Sequence, residues 1–271
     1  MSNWSPKHLI PLGLRDRLRP WKHPLTIFAR RRIKARAGQK VVAGPFAGMR
    51  LEFQNPDIPK LLGSYECEIH AVVRDLGEGD FKTIVNVGAA EGYYAVGLAR
   101  LLPQAKVHAY EMDEAKHHAL RQLAGANGVD DRISIRGACD TAKLGESVAG
   151  NERTIVVMDV EGSERVLLDP ASVPGLARCW ILLELHDVLA PGVSAEIARR
   201  FQSTHHLRRF GTRSRGRADF PLSGMAFDHL PESVLISLMS EQRPWPQEWF
   251  YLEPRTEGFP AGRPGINPQS A

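Results

Sequence analysis

Residues 83–94, TIVNVGAAEGYY, decide the fold. TIVNV (83–87) is almost continuously apolar and predicts a strand buried on both faces. GYYAVGLARLL (92–102) follows at helical spacing and is stopped by Pro103. Between the two, Gly88 permits a tight turn, and Gly92 lets the helix pack close or a ligand approach its backbone. A glycine turn alone is weak evidence, because many α/β proteins carry one for packing. Its setting gives it weight: KVHAY (106–110) is a second strand, and it ends on Glu111, 23 residues beyond Gly88. That is close to the offset of about 20 residues at which an acid meets a ribose hydroxyl in nucleotide-binding α/β folds.

Outward from this unit, short apolar runs alternate with helical segments. RISIR (132–136), TIVVM (154–158), WILLEL (180–185), HHLRRF (205–210) and EWFYL (248–252) complete seven expected strands. Helices are expected from Asp113, an N-cap, to Asn127-Gly128, over 194–201 and over 231–242. Upstream, 41–53 reads as a small hairpin or irregular cap, and 64–76 as a helix. The alternation predicts a mostly parallel sheet covered by helices on both faces, binding its ligand beyond the carboxyl ends of the strands.

Three more strand ends carry polar residues. GACD (137–140) holds Ala138 and Cys139, with a small buried filler as the plain reading of the cysteine. MDVEGSE (158–164) brings Asp159 out of a buried strand; the plain alternative is an N-cap. In LLELHD (182–187), Glu184 and His186 alternate and so point to one side. A histidine there is either a general base or a satisfied structural group.

In this order NVGAAEGYY, HAYEMD, MDVEGSE and ILLELHD resemble the class I methyltransferases, and more narrowly the FkbM-like family, with YECE (65–68) similar to that family's acidic helix before the core. The resemblance covers 64–187 well and EWFYLEP more loosely. It implies a Rossmann-like class I methyltransferase fold, S-adenosylmethionine as cofactor, and an O-methyl acceptor on a sugar or other small hydroxylated molecule. On that implication Gly88, Ala89 and Gly92 form the backbone cradle, Asn86 and Tyr93 meet the methionine end, Glu111 the ribose, and Met112, Ala138 and Cys139 the adenine. Asp159 faces the methyl-transfer centre and His186 is the leading candidate base. Glu184 either orients His186 or joins Asp159 in holding a divalent metal such as Mg²⁺. Asn86 stands where the family more often has Asp, and Ala90 where Asn is common.

Composition bears on partners and organisation. Residues 1–40 hold eleven Lys or Arg against Asp16 alone, whereas 24 basic and 30 acidic side chains leave the remainder at −6. This basic arm suits nucleic acid or an anionic membrane surface, or is a solvated, partly helical extension. A second basic cluster, Arg208, Arg209, Arg213, Arg215 and Arg217, adds to the case for nucleic acid; the absence of an NPPY-like motif after the fourth strand speaks against adenine amino-methylation. A non-catalytic nucleotide-binding domain and a nicotinamide dehydrogenase are further alternatives, the latter disfavoured because GAAEG departs from GxGxxG. Three scattered cysteines form neither a disulfide framework nor a zinc site. With no apolar run of membrane-spanning length and no secretion signal, the expected location is cytoplasmic. The expected division is a basic arm at 1–40, a cap at 41–80, the cofactor-binding core at 81–254 and an irregular tail at 255–271.

Overall fold

The computed structural model describes residues 24–52, 56–150, 152–243 and 245–255, so the first part of the basic arm and nearly all of the tail lie outside the described residues. The chain divides into two compact units: 68–212 with 246 onward, and the residues up to 67 with 213–245. The helices are α1 (Pro24–Ala37), α2 (Ile58–Leu62), α3 (His70–Gly77), α4 (Tyr93–Leu101), α5 (Glu114–Ala126), α6 (Thr141–Ser147), α7 (Glu164–Leu167), α8 (Val193–Phe201) and α9 (Glu232–Met239). No helix among the described residues is long and apolar enough to cross a membrane.

The larger unit holds one sheet of seven strands: β1 (Thr83–Val87), β2 (Lys106–Tyr110), β3 (Ile133–Arg136), β4 (Thr154–Met158), β5 (Trp180–Leu185), β6 (His205–Gly211) and β7 (Glu248–Pro254). Their order is β3-β2-β1-β4-β5-β7-β6. β3, β2, β1, β4 and β5 pair in parallel, and β7 inserts antiparallel between β5 and β6. This is the Rossmann-like class I methyltransferase fold. Order reverses between β1 and β4, so the crevice of the sheet opens at their carboxyl ends.

β4 and β5 are buried at every position, which explains why they lack an alternating polar pattern. Val85, Val87, Val156, Met158, Ile181 and Leu183 share one face and pack on α6 and α8 through Leu144, Val193, Ile197 and Phe201. The residues between them, such as Ile84 and Val157, are buried on the opposite face. Burying each such side chain contributes roughly 1.5–3 kcal/mol. Two capping residues set helix starts. Asp113 accepts the Ala115 N–H at 3.0 Å to begin α5, and Asp140 accepts the Lys143 N–H at 2.8 Å to begin α6.

The smaller unit pairs α9 with α1 and α2. Among its described residues, 41–52 closes through one antiparallel bridge, Lys40 to Arg50, rather than a full hairpin, and Phe53 lies outside the described residues. The helix expected over 64–76 begins late. Glu66 has φ +48, which a right-handed helix cannot contain, so 3-10 structure starts at Cys67 and α3 at His70. The YECE segment is therefore a turn that runs into a short 3-10 helix, and not part of the α-helix. The units group 68–80 with the sheet and 213–245 with α1 and α2. Periodicity along the chain marks a break near residue 80 because the apolar pattern changes there; it does not register that α9 packs on helices almost 200 positions earlier.

Two positions in the turn after β1 make opposite demands. Gly88 has φ +78, and a Cβ there would lie 1.8 Å from the Asp159 carbonyl oxygen. Gly88→Ala is expected to cost about 3 kcal/mol or more, read as a lowered urea midpoint. Ala90, at φ +46, occupies the left-handed region without being glycine. Ala90→Gly or Ala90→Asn is expected to raise unfolding free energy by about 1 kcal/mol in the same measurement.

Candidate active site

The site is built at the β1–β4 reversal. Gly88 and Ala89 both donate their N–H to the Tyr110 carbonyl, each at 2.9 Å, which folds the turn onto the end of β2. The Gly92 N–H is held by the Ala89 carbonyl at 2.8 Å. Ala90 donates to Glu111 Oε2 at 2.8 Å, and Asp113 donates to Glu111 Oε1 at 2.8 Å. Glu111 is buried, and each of its oxygens keeps a lone pair beyond the amide it already accepts. The amides of Gly88, Ala89, Ala90 and Gly92 are thus all taken within the chain. A pyrophosphate, which in dinucleotide-binding turns rests on such amides, would find none of these four available and a carboxylate beside them.

Met112 stands next to Glu111 with 80% of its surface exposed, an unusual state for so large an apolar side chain. The Glu111 N–H donates to the Arg136 carbonyl at 3.0 Å, which ties the end of β2 to the segment carrying Ala138 and Cys139. Ala138 is exposed and Cys139 is half-buried. Burial, aided by the charge of Asp140, pushes the Cys139 thiol up to about 11, so it is a neutral wall and not a nucleophile. Asn86 is buried in β1. Its amide Nδ2 donates to the Val157 carbonyl at 3.4 Å, while Oδ1 has no partner among the described residues. Tyr93 opens α4 and is buried, edge-to-face with Tyr94 at 5.7 Å.

The second half of the site lies at the ends of β4 and β5. Asp159 donates its N–H to the Val87 carbonyl at 3.0 Å, so it leaves β4 beside the glycine turn. It does not cap α7, whose N-cap position is Ser163. Glu161 at φ +48 and Gly162 at φ +112 bend the chain sharply. That bend carries Glu164 back into the interior, fully buried, where Oε1 accepts the Gly162 N–H at 3.2 Å.

His186, buried just past β5, has Nδ1 at 2.7 Å from Glu164 Oε1 and Nε2 at 3.5 Å from Asp159 Oδ1. An ionised carboxylate only accepts, so Nδ1 carries the proton donated to Glu164. The ligand atoms of Asp159, Glu184 and His186 lie within 4.8 Å of one another, so the structure brings the three sequence candidates together. Glu164 was not singled out from the sequence. Its signal was present: the last letter of MDVEGSE is an acid at the start of a four-residue helix, followed by the apolar Val166, Leu167 and Leu168.

Burial alone would lower the imidazole pKa, but the hydrogen bond with Glu164 and the charges of Asp159, Glu164 and Glu161 outweigh it and hold it above 6.5. Burial likewise works to raise Glu164, and its bonds to His186 and to backbone amides override this and hold it below 4.5. Both shifts favour the ion pair.

The second basic cluster forms no free patch. Arg208 lies 3.9 Å from Asp75, Arg209 3.7 Å from Glu248 and Arg213 2.7 Å from Asp219. Arg215 pairs with Glu241, and Arg217 donates to the Asp228 and Leu230 carbonyls.

No family profile and no curated protein sequence matches the chain. Solved structures do, 456 chains in all. A precorrin-6y C5,15-methyltransferase from Geobacter metallireducens GS-15 is 11% identical with a TM-score of 0.47, over 75% of this chain and 96% of that one. An rRNA methylase from Streptococcus thermophilus is 13% identical with a TM-score of 0.44, over 69% and 96%. The O-methyltransferase TomG from Streptomyces achromogenes, involved in tomaymycin synthesis and solved in complex with SAM, is 11% identical with a TM-score of 0.41, over 69% and 78%. Their names span unlike acceptors, and at these scores they do not bear on the acceptor of this chain.

The Glu164–His186 pair has a defined pH window. The raised imidazole contributes stability that is complete below its unfolded pKa and lost as pH rises through its folded one. The depressed carboxyl contributes stability present above its unfolded pKa and lost as pH falls through its folded one. Glu164→Gln is expected to cost about 2 kcal/mol between these limits, with the gap to wild type closing on both sides, in urea unfolding followed across pH.

Proposed function

We propose that this chain is an S-adenosylmethionine-dependent methyltransferase acting on a hydroxyl of a small molecule, a saccharide among the candidates. The observation that carries this reading is the β1 turn: the amides of Gly88, Ala89, Ala90 and Gly92 are internally satisfied and an acid stands beside them, at the reversal of a class I methyltransferase sheet. Such a turn suits a nucleoside that brings a positive charge and no phosphate, and it disfavours a nicotinamide dinucleotide.

The residues fit that cofactor. Glu111 has lone pairs for ribose hydroxyls, exposed Met112 and Ala138 offer apolar surface to a base, and the orphan Oδ1 of Asn86 awaits a donor. Bound there, the cofactor supplies an activated methyl group, leaving the protein to orient the acceptor, exclude water and remove one proton. His186 can accept that proton at Nε2, because Glu164 holds Nδ1 and fixes the ring. As its pKa is raised, the neutral base grows in at a higher pH than for an ordinary imidazole.

The same donors, Asp159, Glu184 and His186, also suit a divalent metal with a taste for oxygen and imidazole, which would hold the acceptor hydroxyl and acidify it. The two roles exclude each other at Nε2, since a nitrogen that ligates a metal cannot take a proton. We favour the base. Glu164 serves either role, since metal-bound histidines also rest on carboxylates. A nucleic-acid acceptor has less support, because the Arg208–Arg217 cluster is engaged within the protein.

Calorimetry with S-adenosylmethionine and S-adenosylhomocysteine tests the cofactor. Micromolar binding is expected, weakened about tenfold in Met112→Asp, where an exposed apolar contact is lost with no packing disturbed. A folded protein that binds neither ligand would refute the reading. Manganese tests the alternative at His186: broadening of its imidazole NMR signals by the ion would assign Nε2 to a metal, and unbroadened signals leave it as the base.

A further inference from the structure

We propose that the exposed face of α1, together with the loop at Met225, docks the protein on an anionic lipid surface. The helix reads PLTIFARRRIKARA and contains no acidic residue. Thr26, Ala29 and Ile33 turn inward and are buried, which anchors one side of the helix. The other side carries Ile27 and Phe28, 43% and 49% exposed, and the exposed Arg31, Arg32 and Arg36. None of these three arginines makes an ion pair among the described residues.

The loop at 223–227 extends this face. Met225 is 92% exposed and lines a cavity of about 370 Å³ with Arg32 and Arg36. Phe28 sits one helical turn before Arg32, so two apolar tips flank the guanidinium groups. Exposed apolar tips among unpaired arginines match the interface of an anionic bilayer. The tips enter the acyl boundary, and each guanidinium grips lipid phosphates through paired N–H donors. A polynucleotide would use the arginines and Phe28, but Ile27 and Met225 have no base-stacking surface to offer it, whereas all of them suit a bilayer interface. This inference does not depend on the reaction catalysed in the other unit.

The test is co-sedimentation of the full chain with phosphatidylcholine vesicles, with and without phosphatidylglycerol, at low and high salt. Two variants accompany it: Arg31→Gln/Arg32→Gln/Arg36→Gln, and Phe28→Ser/Met225→Ser. All five positions are exposed, so both variants should melt like wild type in circular dichroism. Binding is expected only with phosphatidylglycerol, reduced on the order of 100-fold by the triple substitution and lost at high salt. The apolar pair should weaken it about tenfold. Absence of vesicle binding overturns the proposal. So does equal binding by wild type and both variants, which would move the interaction to the segment before residue 24. Tight single-stranded RNA binding lost in the arginine variant, with vesicle binding unchanged by the apolar pair, would reassign the face to nucleic acid.

Discussion

The architecture of the larger unit depends on one close approach, the backbone of Gly88 against the carbonyl of Asp159. A Cβ on residue 88 would sit 1.8 Å from that oxygen, so the ends of β1 and β4 meet only because no side chain intervenes. Asp159 adds its N–H to the Val87 carbonyl. Everything else in the site hangs on this junction. The turn is pulled onto Tyr110, Glu111 locks its far side, and Asp159 emerges where β5 delivers Glu184 and His186. The glycine is thus required by packing between strands, and its value to a ligand is indirect: it sets the shape of the crevice.

The electrostatics of the β4 and β5 ends are organised around a single ring. Burial alone would lower the pKa of His186, yet Glu164 and Asp159 beside it raise it above the ordinary imidazole value. Carboxylates on both nitrogens divide the labour. One is fully buried and short-bonded, so it fixes the ring; the other is more exposed and stands 3.5 Å away. The left-handed residues Glu161 and Gly162 are the conformational cost of folding Glu164 underneath, and strain of this kind concentrates at functional sites.

Most of the sheet was legible in the sequence. The seven expected strands matched seven observed ones, most plainly β4 and β5, which are buried at every position and so read as near-continuous apolar runs, and Asp113 announced a helix that it does cap. Other readings failed for identifiable reasons. Glu66 adopts a left-handed conformation that no propensity marks, which delayed the start of the expected helix to His70. The ion pairs of Arg208, Arg209 and Arg215 were not legible, because their partners, Asp75, Glu248 and Glu241, lie tens of residues away in the chain. Arg31, Arg32 and Arg36, by contrast, were already conspicuous in the composition of the arm, and they remain unpaired among the described residues.

The sequence by itself determined the fold class, the strand ends that carry polar chemistry, and the identity of Glu111, Asp159, Glu184 and His186 as candidates. Those follow from local rules, since burial dictates apolar runs and a carboxylate at the end of one is conspicuous. Only the tertiary structure decided which groups touch. It matched Glu164 with His186, gave the turn amides to Tyr110 and Glu111, and separated the paired arginines from the unpaired ones. Hydrogen bonds and ion pairs are selected by distances of a few ångströms between segments far apart in sequence, and such distances exist only once the chain has folded.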